Sequence, residues 1–314
     1  MARKLRNLLK QTVLSMNRVT ARLGIHVTPV HHYSSLPNIA ELRNSMDEWR
    51  YPSELPGIQV DLDAQAENLK TMVAPFEPEF RGNAMYKRGV AEQYGPGYGP
   101  IEAQALHGFL RHNKPRHIIE VGSGVSTYCA LEAISKNRDE TGEKCSMTCI
   151  EPYPYDWLKD SPDITLMPKR VQAADVSVYN QLESGDLLFI DSSHTVKPGS
   201  DVNHIILEVF PRLKPGVFVH VHDIYFPYDF GRATLNTFLH WSETSLLRAF
   251  LTQNDHVEIV FSLSHLFYKR QDVMKSVFPE FDPQPTNNGL WTPSGSVFDG
   301  SELHFPSSIY LRTK

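Results

Sequence analysis

The chain has 314 residues, of which 41% are hydrophobic and 21% are charged, and its formal net charge is −5. This composition is typical of a globular protein with one large domain, alone or with an appendage. The slight acidity gives no general signature of nucleic-acid binding, and no apolar run is long enough to span a membrane. Three cysteines, an odd and small number, favour reduced thiols in the cytoplasm over a disulfide framework.

Residues 1–25 differ from the rest of the chain because they carry six Lys and Arg residues and no acidic residue. Their apolar residues recur at helical spacing and form one face of a basic amphipathic helix: Leu5, Leu8, Leu9, Val13, Met16, Val19 and Leu23. Such a helix can contact an anionic membrane, act as a targeting peptide, pack on a partner subunit or dock on its own protein. The sequence leaves these alternatives open.

The following segment is irregular. Residues 26–60 are rich in Pro, His and Tyr, which predicts an ordered connector with a short helix at 39–49. Further helices are predicted at 63–73 and 101–111. Glycine and proline dominate residues 75–100, and a loop of this length inside a compact protein often serves as a lid or a substrate-binding segment.

Short apolar segments then alternate with helical patterns, which predicts a parallel sheet covered by helices on both faces. Helices are predicted at 128–135, 202–213 and 233–254, and an extended excursion at 271–306. Seven strands are predicted, at 117–120, 146–151, 164–167, 186–191, 217–222, 256–262 and 307–311. The expected fold is α/β, a Rossmann-like, doubly wound, mostly parallel seven-stranded sheet. It occupies a domain at 98–314 and follows an N-terminal helical and irregular accessory region at 1–97.

A glycine turn follows the first strand, where Glu120 precedes Gly122, Ser123 and Gly124, and Thr127 comes shortly after. Glycine lets backbone approach a ligand closely, and the first amides of the next helix are unpaired donors. A dinucleotide site requires a third glycine where Thr127 stands. Glu120 would also repel a pyrophosphate but would suit a cationic ligand. The alternative is an ordinary strand–turn–helix without a ligand.

The pattern E-x-G-x-G-x-S-T at 120–127 resembles the first motif of class I S-adenosylmethionine-dependent methyltransferases, whose ligand carries an amine and a sulfonium. Glu151 ends the second strand, at the sheet edge where ligands bind, and can accept hydrogen bonds from both ribose hydroxyls. The resemblance implies that S-adenosylmethionine is the cofactor. The residues expected to bind it are Glu120, Gly122, Ser123, Gly124, Thr127, Glu151, Asp191 and Ser192.

Acidic and imidazole side chains follow two further strands, with Asp191 and His194 after the fourth and His222 and Asp223 after the fifth. These strands are neighbours of the first in the expected topology, so their ends converge. Converging carboxylates repel one another unless a metal ion or a proton intervenes. Oxygen ligands suit Mg²⁺, Mn²⁺ or Ca²⁺, and added imidazole shifts the preference toward Mn²⁺, Fe²⁺ or Zn²⁺. The alternative is that the histidines cap the core without a metal.

The runs at 186–194 and 211–227 make the resemblance more specific. They look like the family that includes macrolide-sugar O-methyltransferases and, more distantly, catechol-type O-methyltransferases. The resemblance implies a Mg²⁺ or Mn²⁺ site at Asp191, His222 and Asp223, although His222 stands where the relatives have a carboxylate or an amide. His194 occupies the offset of the catechol-type lysine base, so it is expected to be the catalytic base, with His222 as the alternative.

We therefore expect an enzyme that moves a methyl group from S-adenosylmethionine to a hydroxyl of a sugar or other small molecule, assisted by a divalent metal. Trp241 is expected in the core, and Glu243 could reach the crevice. Alternatives are an N-methyltransferase or an aminopropyl transferase on the same fold, or a non-catalytic scaffold that binds the cofactor. We also expect a homo-oligomer in the cytoplasm, no nucleic-acid partner, and peripheral membrane contact through residues 1–25 as an open alternative.

Overall fold

The structure, a computed structural model, describes residues 2–28, 30–95, 97–283, 289–290 and 305–314. The chain folds as two compact units, Met1–Trp49 and Arg50–Lys314. The predicted accessory region was longer than the first unit, because residues 50–97 belong to the second unit. The functional division at residue 97 stays a prediction.

The first unit consists of helices and turns. Helix α1 covers Ala2–Thr20 and continues as a 3₁₀ turn that Gly24 ends in the left-handed conformation, with φ 72°. Helix α2 (Ile39–Asn44) begins at Asn38, whose side chain accepts two of the first free amides, and α3 follows at Met46–Trp49. These elements confirm the basic amphipathic helix and the short helix predicted at 39–49.

A seven-stranded sheet organises the second unit, with strand order β3-β2-β1-β4-β5-β7-β6. Strands β1 to β5 pair in parallel, whereas β7 lies antiparallel between β5 and β6. The strands are β1 (His117–Val121), β2 (Ser146–Ile150), β3 (Ile164–Met167), β4 (Leu187–Ile190), β5 (Phe218–Val221), β6 (Val257–Ser262) and β7 (Ile309–Thr313). This topology confirms the expected fold class, and each strand agrees with its prediction to within two residues.

Helices cover both faces of this sheet. The helix after β4 is not α-helical throughout. It begins as α10 (Asp201–His204) and continues as a π-helical turn at Ile205–Val209 and a 3₁₀ turn at Phe210–Arg212. The helices of the second unit are α4 (Leu62–Met72), α5 (Glu77–Phe80), α6 (Ala84–Ala91), α7 (Pro100–Asn113), α8 (Val125–Thr141), α9 (Asp156–Lys159), α10 (Asp201–His204), α11 (Glu243–Leu251), α12 (Leu263–Lys269) and α13 (Gln271–Val277). Within the described residues, none of the helices has the length and apolar content needed to cross a membrane.

Two predicted segments differ in the structure. The expected loop at 75–100 is helical as far as Ala91, because Pro75 and Pro78 occupy first-turn positions, as Pro100 does in α7. The helix expected at 233–254 is confined to Glu243–Leu251, and an irregular segment precedes it. Most of the excursion expected at 271–306 lies outside the described residues, apart from α13 and its flanks.

The core has two layers, one on each face of the sheet. Along β1, Ile118 packs into one layer and Ile119 into the other, and Leu187 and Leu188 alternate in the same way along β4. Both layers are buried, as expected for parallel strands that have helices on each side. The carboxyl ends of β1, β4 and β5 consequently lie side by side at one edge of the sheet.

Candidate active site

A cleft opens at the carboxyl ends of the central strands. Six of the eight residues predicted to bind the cofactor line it: Gly122, Ser123, Gly124, Glu151, Asp191 and Ser192. The cleft reaches past Glu151 to Arg170 and Gln172 in one direction and to His194 and Trp241 in the other. The structure therefore joins the predicted cofactor loop to the predicted catalytic residues in one continuous depression.

Gly122 lies where two backbone segments touch. Its φ is +82°, and a Cβ at this position would lie 1.8 Å from the carbonyl oxygen of Asp191. The Gly122 amide donates to the Ile150 carbonyl at 3.1 Å, so the turn is fixed to β2 as well. Only glycine combines this φ with this contact.

Glu120 and Thr127 are fully buried beneath the loop and do not line the cleft. The Glu120 carboxylate accepts hydrogen bonds from the hydroxyls of Ser126 at 2.8 Å and Thr127 at 2.5 Å. The Thr127 hydroxyl in turn accepts the amide of Gly124 at 3.0 Å. Burial raises the pKa of Glu120 to about 7, although these hydroxyl donors act in the opposite direction. Glu120 thus holds the shape of the glycine loop from below.

Glu151 approaches the same loop from the end of β2. Its carboxylate accepts the amide of Tyr153 at 2.7 Å and the amide of Ser123 at 3.3 Å. These two bonds use one oxygen each and orient the carboxylate beside the glycine turn. The position is the one that a ribose-binding acid requires at this edge of a doubly wound sheet.

Four titratable side chains converge where β4 and β5 end. One ligand atom from each of Asp191, His194, His222 and Asp223 can be chosen so that all four lie within 4.8 Å of one another. His194 Nε2 is 3.4 Å from Asp191 Oδ1 and 3.4 Å from Asp223 Oδ2. His222 Nδ1 is 3.3 Å and 3.5 Å from the same two oxygens. The predicted metal ligands are thus brought together, and His194 joins them as a residue suited either to ligation or to base catalysis.

Asp223 is oriented by neighbours that occupy one of its two oxygens. Its Oδ1 accepts hydrogen bonds from the hydroxyl of Ser307 at 2.8 Å and that of Tyr225 at 3.0 Å. Its Oδ2 therefore points to the two imidazoles. Asp223 and His194 both have positive φ, 57° and 56°, an uncommon conformation that recurs at functional sites.

His194 has a carboxylate partner on its other ring nitrogen. Its Nδ1 lies 2.8 Å from Oε2 of Glu243, the first residue of α11, which is fully buried. Trp241 packs against the imidazole with ring centroids 4.7 Å apart. The sequence suggested Glu243 as a residue that could reach the crevice, and the structure shows how it does so. Trp241 lines the cleft, whereas the sequence favoured the core.

His222 is buried, and neither of its ring nitrogens has a hydrogen-bond partner in the described part of the chain. Its Nε2 lies 3.7 Å from Oε1 of the fully buried Glu102, and Tyr98 packs on its ring. A buried imidazole without a hydrogen bond is costly. A positive ion between Asp191 and Asp223 would give Nδ1 its missing partner.

The charges in this cluster displace the pKa values of its members. Burial lowers the pKa of His194, but the carboxylates of Asp191 and Glu243 outweigh that effect and raise it to about 10. Burial raises the pKa of Asp191, but the two histidines reverse this effect and bring it below its ordinary value. Burial raises the pKa of Glu243 despite its bond to His194. The cluster is therefore strongly coupled by charge.

Sequence reasoning missed three residues that support the cluster, namely Glu102, Tyr225 and Ser307. Glu102 Oε1 accepts the amide of Ser307 at 2.8 Å, which ties α7 to the segment before β7. A signal for Glu102 existed, because it is the only Asp, Glu, Lys or Arg residue between positions 100 and 110. Ser307 and Tyr225 had no comparable signal, since their importance depends on strand order.

Comparison with known proteins agrees with this geometry. Residues 119–224 match the family model described as a methyltransferase domain, and they include the glycine loop and Glu151. They also include the acid–histidine cluster, which consists of Asp191, His194, His222 and Asp223. The resemblance to S-adenosylmethionine-dependent methyltransferases is thus confirmed. An uncharacterized protein from Archaeoglobus fulgidus is 29% identical over 181 residues, which cover 52% of this chain and 77% of that protein.

Solved structures match the chain at low identity and low TM-score. The methyltransferase PaMTH1 from Podospora anserina, bound to SAH, is 13% identical with a TM-score of 0.38, over 90% of this chain and 99% of that one. The O-methyltransferase TomG from Streptomyces achromogenes, involved in tomaymycin synthesis and in complex with SAM, is 14% identical with a TM-score of 0.36, over 64% and 82%. Likenesses at this level do not extend to ligands or reactions.

Proposed function

We propose that this protein is an S-adenosylmethionine-dependent O-methyltransferase that uses a divalent cation, Mg²⁺ or Mn²⁺, and acts on a hydroxyl of a sugar or other small molecule. One observation carries the proposal. The cleft that begins at the glycine loop ends at the convergence of Asp191, His194, His222 and Asp223. A methyl donor in the cleft and a hydroxyl at the cluster would therefore be neighbours.

In this proposal the loop and Glu151 hold the cofactor. Gly122, Ser123 and Gly124 bring backbone close to it, and Glu151, already oriented by two amides, accepts hydrogen bonds from its ribose. Glu120 and Thr127 contribute indirectly, through their hydrogen bonds beneath the loop. Asp191 and Ser192 line the same cleft and would also contact the cofactor.

The donor set fits a divalent cation. Asp191, His222 and Asp223 offer two carboxylates and an imidazole, a combination that favours Mn²⁺ over Mg²⁺. The unsatisfied Nδ1 of His222 and the outward Oδ2 of Asp223 face the same region. When bound there, the cation would supply positive charge that lowers the pKa of a hydroxyl beside it.

His194 is the residue that takes the proton in this proposal. With a cation at Asp191 and Asp223, these carboxylates would no longer hold His194 as an imidazolium. Its Nδ1–H would stay bonded to Glu243, and the lone pair of Nε2 would face the cleft. The acceptor oxygen forms a bond to the methyl carbon, the carbon–sulfur bond breaks, and the hydroxyl proton passes to Nε2. The chain's main contributions are alignment of the two substrates and exclusion of water by the walls of the cleft.

The direct test is to incubate the full-length protein with S-adenosylmethionine carrying a labelled methyl group, a panel of sugars and small polyols, and Mn²⁺ or Mg²⁺. We expect mass spectrometry to show a labelled O-methyl product that disappears with chelator and returns with added metal. Asp191→Asn should abolish the response to metal. Undiminished turnover in fully demetallated protein would refute the metal assignment.

The same experiment separates the alternatives on this fold. Labelled N-methyl product, or transfer of an aminopropyl group, would replace the O-methyl assignment. Cofactor binding without transfer to any member of a broad acceptor panel would favour a non-catalytic scaffold. A homo-oligomer, a cytoplasmic setting and the absence of a nucleic-acid partner stay predictions that this assay does not address.

A further inference from the structure

Helix α1 exposes a continuous apolar face. Side chains are described from residue 7 onward, and large apolar ones along this face remain open to solvent, with exposed fractions of 61% for Leu8, 59% for Leu9, 46% for Met16 and 65% for Val19. Leu23, in the 3₁₀ turn that follows, is 73% exposed. An amphipathic helix normally buries such a face against a core. This face therefore requires a partner to cover it.

The polar group nearest the centre of the face is already satisfied. Thr12 lies one helical turn after Leu8 and one before Met16, on the same side of the helix. Its hydroxyl donates to the carbonyl of Leu8 at 3.0 Å. A hydroxyl bonded within its own helix can enter an apolar medium without losing a hydrogen bond. The face therefore suits hydrocarbon and not only another protein.

Basic residues occupy the rest of the helix surface. At 100° per residue, Arg22 borders the apolar face, whereas Lys10 and Arg18 project from the polar side opposite it. All three side chains are exposed. No Asp or Glu precedes Glu41, although the whole chain has 36 acidic residues against 31 basic ones. Positive charge is thus concentrated in the same short segment as the apolar face.

These features distinguish between candidate partners. A second copy of the helix would bring Lys and Arg against Lys and Arg, with no acid in the segment to pair them. A nucleic acid would match the charge but would leave the apolar face in water. An anionic bilayer matches both features, since acyl chains cover the apolar face while lipid phosphates meet the cations of the polar side.

We propose that α1 binds in the plane of a lipid bilayer that contains anionic lipids and thereby holds the protein at a membrane surface. The test uses the full-length protein with vesicles of phosphatidylcholine alone or mixed with phosphatidylglycerol, separated by sedimentation. We expect binding to the anionic vesicles that weakens as salt increases, and little binding to the neutral vesicles. Absence of binding to anionic vesicles at low salt would overturn the proposal.

Two matched variants test whether the apolar face makes the contact. Leu9 and Leu14 are 59% and 52% exposed, but at 100° per residue Leu14 projects from the opposite side of the helix. Leu9→Gln should weaken binding to anionic vesicles by roughly 10- to 100-fold, because one buried leucine is lost. Leu14→Gln introduces the same neutral polar group on the opposite side and should cost far less. Equal losses in the two variants would overturn insertion of this face.

The remaining partners would give different results. Sedimentation velocity without lipid would detect a second copy as a dimer that Leu9→Gln dissociates. Such a dimer without vesicle binding would identify the partner as a second copy and overturn the bilayer proposal. Docking of α1 on its own protein would appear as a lower melting temperature in Leu9→Gln but not in Leu14→Gln, again without vesicle binding. Circular dichroism of each variant verifies the fold. None of these measurements involves methyl transfer, so failure of the proposed methyltransferase activity would not affect their outcome.

Discussion

His194 and Glu243 hold each other through both side chain and backbone. The imidazole Nδ1 lies 2.8 Å from Glu243 Oε2, and the carbonyl of His194 accepts the backbone amide of Glu243 at 3.1 Å. The first turn of α11 is therefore fixed to the end of β4. The same turn holds the other side of the cluster, since the Thr244 hydroxyl accepts the amide of Tyr225 at 3.3 Å. The N-terminus of α11 thus sets the positions of His194, which follows β4, and of Tyr225, which follows β5.

The pairing predicts that Glu243→Gln lowers catalysis more than it lowers stability. The amide can donate as well as accept, so it no longer fixes the proton of His194 on Nδ1. We expect kcat to fall roughly 10- to 100-fold, as is common when the partner of a functional histidine is changed. The measurement is steady-state turnover on the acceptor identified by mass spectrometry. A kcat equal to that of the wild-type enzyme would show that the pairing has no catalytic role.

A second prediction separates base catalysis from metal ligation at His194. His194→Ala should lower kcat by roughly 10²- to 10⁴-fold, the usual effect of losing a general base, and should leave Mn²⁺ affinity nearly unchanged. Asp191→Asn should instead lose Mn²⁺ binding in calorimetry, because it removes one of the two carboxylate ligands. If His194→Ala also lost Mn²⁺ binding, His194 would be reassigned as a fourth ligand.

A third prediction concerns the two glycines of the loop. Gly122→Ala should reduce the free energy of unfolding by about 3 kcal/mol or more, because its Cβ meets the Asp191 carbonyl and its φ is positive. It should also abolish binding of S-adenosylmethionine. Gly124→Ala is the matched control for stability only, since its Cβ would lie 3.4 Å from the Tyr94 carbonyl oxygen, an ordinary contact. Thermal unfolding of both variants makes the stability comparison, and calorimetry measures cofactor binding by Gly122→Ala. Wild-type stability in Gly122→Ala would contradict the prediction.

The sheet was predictable because its signals are local. Strands such as Leu187–Ile190 are short, wholly apolar and bounded by polar residues, and the helices between them have clear periodicity. The segment at 75–100 misled the prediction because Pro78 and Pro100 start helices instead of interrupting a loop. A single sequence does not distinguish these two uses of proline.

The candidate site was predictable in part for a similar reason. Asp191, His194, His222 and Asp223 each follow a predicted strand, so topology alone brings them together. The residues that orient them come from elsewhere in the chain. Glu102 acts from a helix that precedes the sheet, and its contact with Ser307 spans 205 positions. Such pairings depend on tertiary packing, which the sequence pattern does not encode locally.

A fourth prediction tests the division of the chain. Removal of residues 1–49 should leave a folded protein that still binds S-adenosylmethionine, because Arg50–Lys314 is a compact unit. Removal of residues 1–97 should prevent folding, because α4 covers the edge strand β6. Asn68 Nδ2 donates to the Val260 carbonyl at 2.9 Å, and Gln65 Oε1 accepts the Ser262 amide at 3.0 Å. A folded, cofactor-binding protein after the longer deletion would support the boundary predicted at residue 97.

The fifth prediction concerns acid stability and His265, a buried residue of α12. Burial, together with the charge of Lys269, lowers the pKa of His265 to about 4 in the folded protein, from an ordinary value of 6.5. The unfolded chain therefore binds a proton at a higher pH than the folded chain does. The contribution of His265 to stability is complete above pH 6.5 and is lost as the pH falls from 6.5 toward 4.

This pKa difference amounts to about 3 kcal/mol at the acidic end of that range. We expect His265→Gln, which does not titrate, to lose less stability than the wild-type protein between neutral pH and pH 4. The measurement is urea unfolding at several pH values, analysed as the difference between the two proteins, so that the carboxylates common to both cancel. Because His265 lies outside the acid–histidine cluster, added Mn²⁺ should not alter this difference. Parallel pH profiles for the two proteins would show that His265 does not govern the loss.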